Sequence, residues 1–184
     1  MLKNHDLIER ATAVVSASYR GPQCVEASAL LVEVGARLGY ELEARPVSMF
    51  ATNLTTGSEA TGEQGRAFGR SFLLRRSVNL EINGFSGGSP FQRYAGHMIV
   101  VSVEHELLMD PTFAQFESLG PQAMPLFVQE ARLRSDRYWQ AGDDDFYVRY
   151  FRADDFMEVT FDAARKGLVD KADQIVAFMR DNPR

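Results

Sequence analysis

The sequence predicts an α+β fold. Two helical patterns come early, strand patterning is gathered later, and the strands are joined by turn signals that make antiparallel hairpins rather than βα units. With 184 residues, 45% of them hydrophobic and 24% charged, a single domain over residues 1–184 with a substantial core is expected, and disordered or collagen-like structure is excluded.

Leu7, Ile8, Ala11, Val14 and Val15 recur at helical spacing and predict a first amphipathic helix over residues 4–18. Gly21-Pro22 marks a fresh start, because proline suits a first helical turn, and Gly39 supplies a left-handed stop. The second helix is therefore expected from Pro22 to Leu38. Residues 41–52 look extended. The polar stretch 53–65 offers almost nothing to bury and reads as a long loop bordering a cleft. Farther on, Phe72, Leu74, Val78, Leu80 and Ile82 alternate, so the later half of 66–82 reads as a strand. A second Gly/Ser-rich loop, 83–95, leads into His97 and is also expected at the cleft. His97 to Val103 is an apolar β run, Glu104-His105-Glu106 a turn, and Leu107 to Asp110 a returning strand halted by Pro111. Residues 126–131 and 146–152 read as strands, and a closing helix runs from Asp162 to about Arg180.

Charge and cysteine content narrow the function. A net charge of −5 gives no long-range attraction for phosphate backbones, so no nucleic-acid partner is expected. The basic cluster Arg66, Arg70, Arg75 and Arg76 reads as a solvated face. Charged residues near the start leave no apolar leader, and no stretch reaches membrane-spanning length, so a cytoplasmic protein without a membrane partner is expected. A lone cysteine, Cys24, can form neither an internal disulfide nor a cysteine-based zinc site. Asp143-Asp144-Asp145 lacks the alternating ligand spacing of a calcium loop and reads as a solvated turn; no metal or cofactor is expected.

On a helical wheel of about 100° per residue, Glu26, Glu33 and Arg37 fall together and Cys24 lies opposite. The inward face is then Cys24, Ser28, Leu31, Gly35 and Leu38, with small residues that would admit a sheet closely. Cys24 in the first turn has two readings. It is a small buried hydrophobe, or a nucleophile whose thiolate is favoured by the unpaired amides of the helix start. Its backbone amide could also stabilise an oxyanion. A cysteine nucleophile needs a histidine to carry the proton and a third group to orient that histidine. His5 and His105 have polar surroundings. His97 follows Gly96 and opens an apolar strand, and Asp110 ends its hairpin partner, which brings the two to one end of the sheet. His97 is a base or a strand-edge histidine; Asp110 orients it or starts the turn before Pro111.

The order of helix-start cysteine, strand-start histidine and strand-end aspartate resembles the papain-like cysteine superfamily, in its transglutaminase-like branch. The matching stretches are RGPQCVEASALLVEVGARLGYELEARPVSMFATN, residues 20–53, and GHMIVVSVEHELLMDPTFAQF, residues 96–116. The resemblance implies a nucleophile-bearing helix buried against an antiparallel sheet, with Cys24 as nucleophile, His97 as base and Asp110 as orienting acid. It also implies a peptide, amide or acyl substrate and a thioester intermediate. Arg20-Gly21-x-x-Cys24-x-Glu26 is similar to the cysteine motif of arylamine N-acetyltransferases, although Pro22 replaces a usual glycine and Ser28 a usual asparagine. That family also carries a further C-terminal domain, for which this chain is short. Papain-type proteases place an oxyanion glutamine several residues before the cysteine; here Ser18 stands at that distance and Gln23 directly ahead. Gln23 and Gly96 are near-site candidates, and the second oxyanion donor stays unassigned. Tyr138 and Trp139 are candidate pocket aromatics, with core packing as the other reading. A domain of the same fold that has lost its chemistry is the alternative from a different class.

Overall fold

A computed structural model describes residues 5–19, 23–83, 96–120, 125–131, 137–153 and 158–183. Among them are five α-helices: α1 Asp6–Ala17, α2 Cys24–Arg37, α3 Gly62–Arg75, α4 Glu158–Gly167 and α5 Val169–Asp181. Eight strands form one sheet: β1 Glu43–Asn53, β2 Gly57–Thr61, β3 Ile82–Asn83, β4 His97–Ser102, β5 Leu107–Asp110, β6 Leu126–Val128, β7 Tyr138–Gly142 and β8 Phe146–Arg152. The fold is α+β, as the sequence predicts. The sheet is mixed, not purely antiparallel: two-residue β3 runs parallel to β2, whereas the other pairings are antiparallel. No helix among the described residues is long and apolar enough to cross a membrane.

Strand β1 organises the sheet. Its first half pairs with β4, with Val47 opposite His97, and its second half pairs with β2 and β8. The side chains alternate between two faces. On one face, Met98 and Val100 of β4 and Leu107 and Met109 of β5 pack against α1, α2 and α5. On the other, Val47, Met49, Ile99, Leu108, Val148 and Tyr150 enclose Phe113, Phe116 and Leu119, the anchors of two 3-10 turns, Phe113–Gln115 and Glu117–Leu119. His97 and Asp110 share the phase of Ile99 and Leu108, so both face this second cluster.

Helix α2 begins and ends close to expectation, and Gly39 adopts the left-handed φ of +82° that stops it. Its environment differs from the predicted single buried stripe. Ala27, Ala29, Leu30, Val32 and Val34 are buried along with Ser28, Leu31 and Gly35, because α1, α4 and α5 pack around it. Ser28 Oγ donates to the Met98 carbonyl at 3.4 Å, so a small residue does bring the helix onto β4. Gly35 instead makes room for Leu42. The charged stripe is not merely solvated: Glu33 accepts from Arg37 and from Arg165 of α4.

Three expectations are corrected. Residues 53–65 are not a loop but the end of β1, a tight turn, β2 and the start of α3, and all five residues of β2 are buried. Of its polar side chains Glu59 accepts from Ser118 Oγ at 2.5 Å, whereas Ser58 Oγ and Thr61 Oγ1 are buried without a side-chain partner. The alternation in 66–82 belongs largely to a helix, since α3 continues to Arg75 and Leu74, read as a strand position, is 79% exposed. The closing helix is two, broken between Gly167 and Val169. β7 is an additional strand. The loop 83–95 lies, from residue 84 on, outside the described residues. Asp143 to Asp145 form the expected exposed turn, in which Asp143 Oδ1 accepts from the amides of Asp145 and Phe146.

Candidate active site

Three elements converge on His97. The β4–β5 hairpin places Asp110 beside it, and the ring Nε2 lies 2.7 Å from Asp110 Oδ2. Both residues are sealed from solvent, at 1% and 0% exposure. β8 contributes Tyr150, whose hydroxyl donates to the same Oδ2 at 2.8 Å. The 3-10 turn after β5 contributes Gln115, whose Nε2 is 3.4 Å from His97 Nδ1. Ring packing fixes the imidazole plane: Phe116 meets it edge-on at 5.4 Å, and Tyr150 stacks within 17° at 6.4 Å.

Asp110 makes two sets of contacts, on different oxygens. Oδ1 accepts from the Thr112 amide at 3.1 Å and from Thr112 Oγ1 at 3.3 Å, which makes the turn before Pro111's successor. Oδ2 serves His97 and Tyr150. With four donors the buried carboxylate is fully engaged, which is the condition for keeping a charge inside a protein.

Cys24 is the first residue of α2, half-buried, and close enough to the His97 ring to raise its pKa. Asp110 occupies Nε2, and Nδ1 is the nitrogen that Gln115 approaches. Burial by itself lowers the His97 pKa, but the charge and hydrogen bond of Asp110, followed by the hydrogen bond and charge of Cys24, outweigh it and hold the pKa at about 10. Asp110 and Cys24 thus favour the charged form of the ring. Burial, then the charge and bond of Asp110, push the Tyr150 hydroxyl well above its ordinary value, so it stays a donor.

Gln23 is exposed at the helix N-cap and makes no capping bond, so the amide directly before Cys24 points to solvent. Gly96 is half-buried immediately ahead of β4. Trp139 is buried in the core with Tyr150, whereas Tyr138 is 41% exposed and lies over the Arg149 guanidinium at 4.0 Å. Both border a cavity of about 510 Å³ between β6 and β7, whose wall includes Tyr150. Of the basic cluster, Arg76 pairs with Asp144 at 3.6 Å. Tyr150 and Gln115 were not candidates from the sequence. β8 reaches the site through its pairing with β1, and no local pattern announces that; Gln115 follows Asp110 closely, and its proximity was the only available signal.

Removing the Tyr150 hydroxyl tests the network. Tyr150→Phe is expected to lower stability by roughly 1.5–3 kcal/mol, the range for a hydrogen bond to a charged group. Urea unfolding of the two proteins measures it, and an unchanged midpoint would show that the bond adds nothing.

The fold and site together define an α+β protein in which a helix-start cysteine faces a buried histidine–aspartate pair. No family model, no curated protein and no solved structure matches the chain.

Proposed function

We propose that this chain is a cysteine-dependent acyl transferase or hydrolase of the papain-like, transglutaminase-like kind. One observation carries the reading: the buried His97 ring is held by Asp110 at Nε2, and Cys24, at the start of α2, is near enough to raise its pKa together with Asp110. The partial exposure of Cys24 favours a working thiol over a domain that keeps the fold without the chemistry.

In this mechanism the Cys24 thiolate attacks a carbonyl carbon of an amide, ester or thioester and a C–S bond forms. The carbonyl oxygen becomes an oxyanion beside the unpaired amides of the first turn of α2, with the Cys24 N–H as one donor. His97 gives its Nδ1 proton to the leaving group, the old acyl bond breaks, and a thioester is left on Cys24. Neutral His97 then takes a proton from water or an amine as it attacks, and C–S cleavage restores the thiolate. Asp110 keeps the neutral ring's proton on Nε2, so that Nδ1 is the basic nitrogen throughout.

The test uses Cys24 as the sole thiol. Iodoacetamide is expected to alkylate the native protein faster than a free thiol at pH values below 7, and His97→Ala is expected to remove that advantage, with the adduct located by mass spectrometry. Equal rates for the wild type, the variant and a free thiol would overturn the proposal.

A further inference from the structure

The 3-10 turn that follows β5 returns the chain to the ring it has just left. Asp110 holds His97 at Nε2; Thr112, bound to Asp110 Oδ1, starts the turn; and buried Phe113 and Phe116 anchor it on either side of Gln115. One short segment therefore meets the imidazole at both nitrogens. The Gln115 carboxamide brings Nε2 to 3.4 Å from Nδ1, while its Oε1 is sealed from solvent and has no partner. An amide offers a donor at one end and an acceptor at the other, and a buried acceptor without a donor is costly. Turning the amide end for end brings Oε1 to Nδ1 whenever Nδ1 carries a proton, where it shares that proton with the Cys24 sulfur, and moves the amide Nε2 into the sealed position. In the neutral ring, with its proton on Nε2, the present orientation supplies the donor that Nδ1 then needs.

We propose that Gln115 is a positioning residue for His97, its carboxamide turning so that Nδ1 keeps a partner both with and without its proton. The proposal rests on the reading of Cys24, His97 and Asp110 as a reactive centre and adds the element that holds the ring between the two proton transfers. Once His97 has passed its Nδ1 proton to a leaving group, the Gln115 N–H steadies the exposed lone pair until the next nucleophile supplies a proton. The amide forms no bond to carbon and carries no charge.

The titratable groups facing the ring among the described residues are Asp110 from β5, Tyr150 from β8 and Cys24 from α2. A charge introduced at 115 must therefore be read on His97 itself. The full chain, labelled with nitrogen-15 at histidine, has only three imidazoles, and nuclear magnetic resonance can follow the His97 ring between about pH 6 and pH 11. Gln115→Glu, an acceptor only, is expected to raise the pH at which His97 loses its proton. It should also slow alkylation of Cys24 by iodoacetamide near neutral pH by roughly tenfold, since a second anion beside the ring competes with the thiolate. Gln115→Met, which offers neither end, is expected to lower the His97 midpoint, because the bond from the charged ring is the stronger of the two lost. Should the apolar variant fail to fold, the glutamate variant, nearly identical in shape, keeps the test readable. Midpoints that stay in place in both variants while melting temperatures fall would reduce Gln115 to a packing residue and overturn the inference. A raised midpoint in Gln115→Met would also overturn it, by showing an amide fixed as donor. If the wild-type thiol reacts no faster than a free thiol while the His97 midpoint still moves, the functional reading fails and the Gln115 contact stands.

Discussion

Asp110→Ala is expected to cost about 3–5 kcal/mol of folding stability, the range for removing one member of a buried ion pair. The carboxylate has no exposure, and its loss strands four donors: the His97 ring, the Tyr150 hydroxyl, and the amide and hydroxyl of Thr112. Since a domain has about 5–15 kcal/mol in total, the change should be plain in a urea titration. Asp110→Asn separates folding from chemistry. Its oxygen can still serve Thr112, so part of the lost stability returns. Its amide, however, presents a donor to Nε2 and forces the neutral ring to carry its proton on Nδ1. That tautomer cannot accept a proton from Cys24 or from an attacking water. The asparagine variant is therefore expected to fold and yet to alkylate at Cys24 no faster than a free thiol; wild-type reactivity in that variant would remove Asp110 from the proposed mechanism.

The same pair carries a pH dependence of defined sign. In the fold the His97 pKa is raised from 6.5 to about 10, so its stabilisation is complete below about pH 6.5 and is lost as pH rises through about 10. The stability gap between wild type and Asp110→Asn should therefore be widest near pH 6 and narrow toward pH 10. A gap that widens with pH would mean that the native ring is neutral.

What the sequence revealed of this site follows from locality. Helical phase places Cys24 at the start of α2, and a short hairpin joins His97 to Asp110; both relations are set within one element or between neighbours. Tyr150 is 40 residues from the aspartate it bonds, and β8 reaches it only by pairing with β1. Composition misled where burial is polar. Ser58, Glu59 and Thr61 make β2 look like a loop, although β1 and the Glu117–Leu119 turn cover it. In α3 the informative spacing is glycine, not apolar: Gly65 and Gly69 lie one turn apart and face β1, while Phe68 and Phe72 surround Phe50. An apolar alternation count passes over glycines, so the helix reads as a strand.

Those glycines give the second large effect, and its sign is the test. In an exposed helix, Gly→Ala stabilises by up to about 1 kcal/mol through backbone entropy. At Gly65 a Cβ would lie 2.0 Å from the Met49 carbonyl oxygen and 2.6 Å from its carbon, so no rotamer change relieves it. Helix α3 would have to lift from β1. Gly65→Ala is therefore expected to destabilise by about 3 kcal/mol or more, at or beyond the usual range for overpacking because the obstacle is backbone. At Gly69 the obstacle is the Phe50 ring, at 2.5 Å, which can move, so Gly69→Ala should cost less. Gly167 meets nothing within 4 Å and serves as the control, expected to gain slightly or stay level. Chemical denaturation of the three variants ranks them. The disturbance would also reach the site, since Met49 is two positions along β1 from Val47, the register partner of His97. Alkylation of Cys24 in a folded Gly65→Ala protein should accordingly slow. A stabilised Gly65→Ala variant would mean that α3 does not lie on β1 and that the strand carrying the His97 register is free of it.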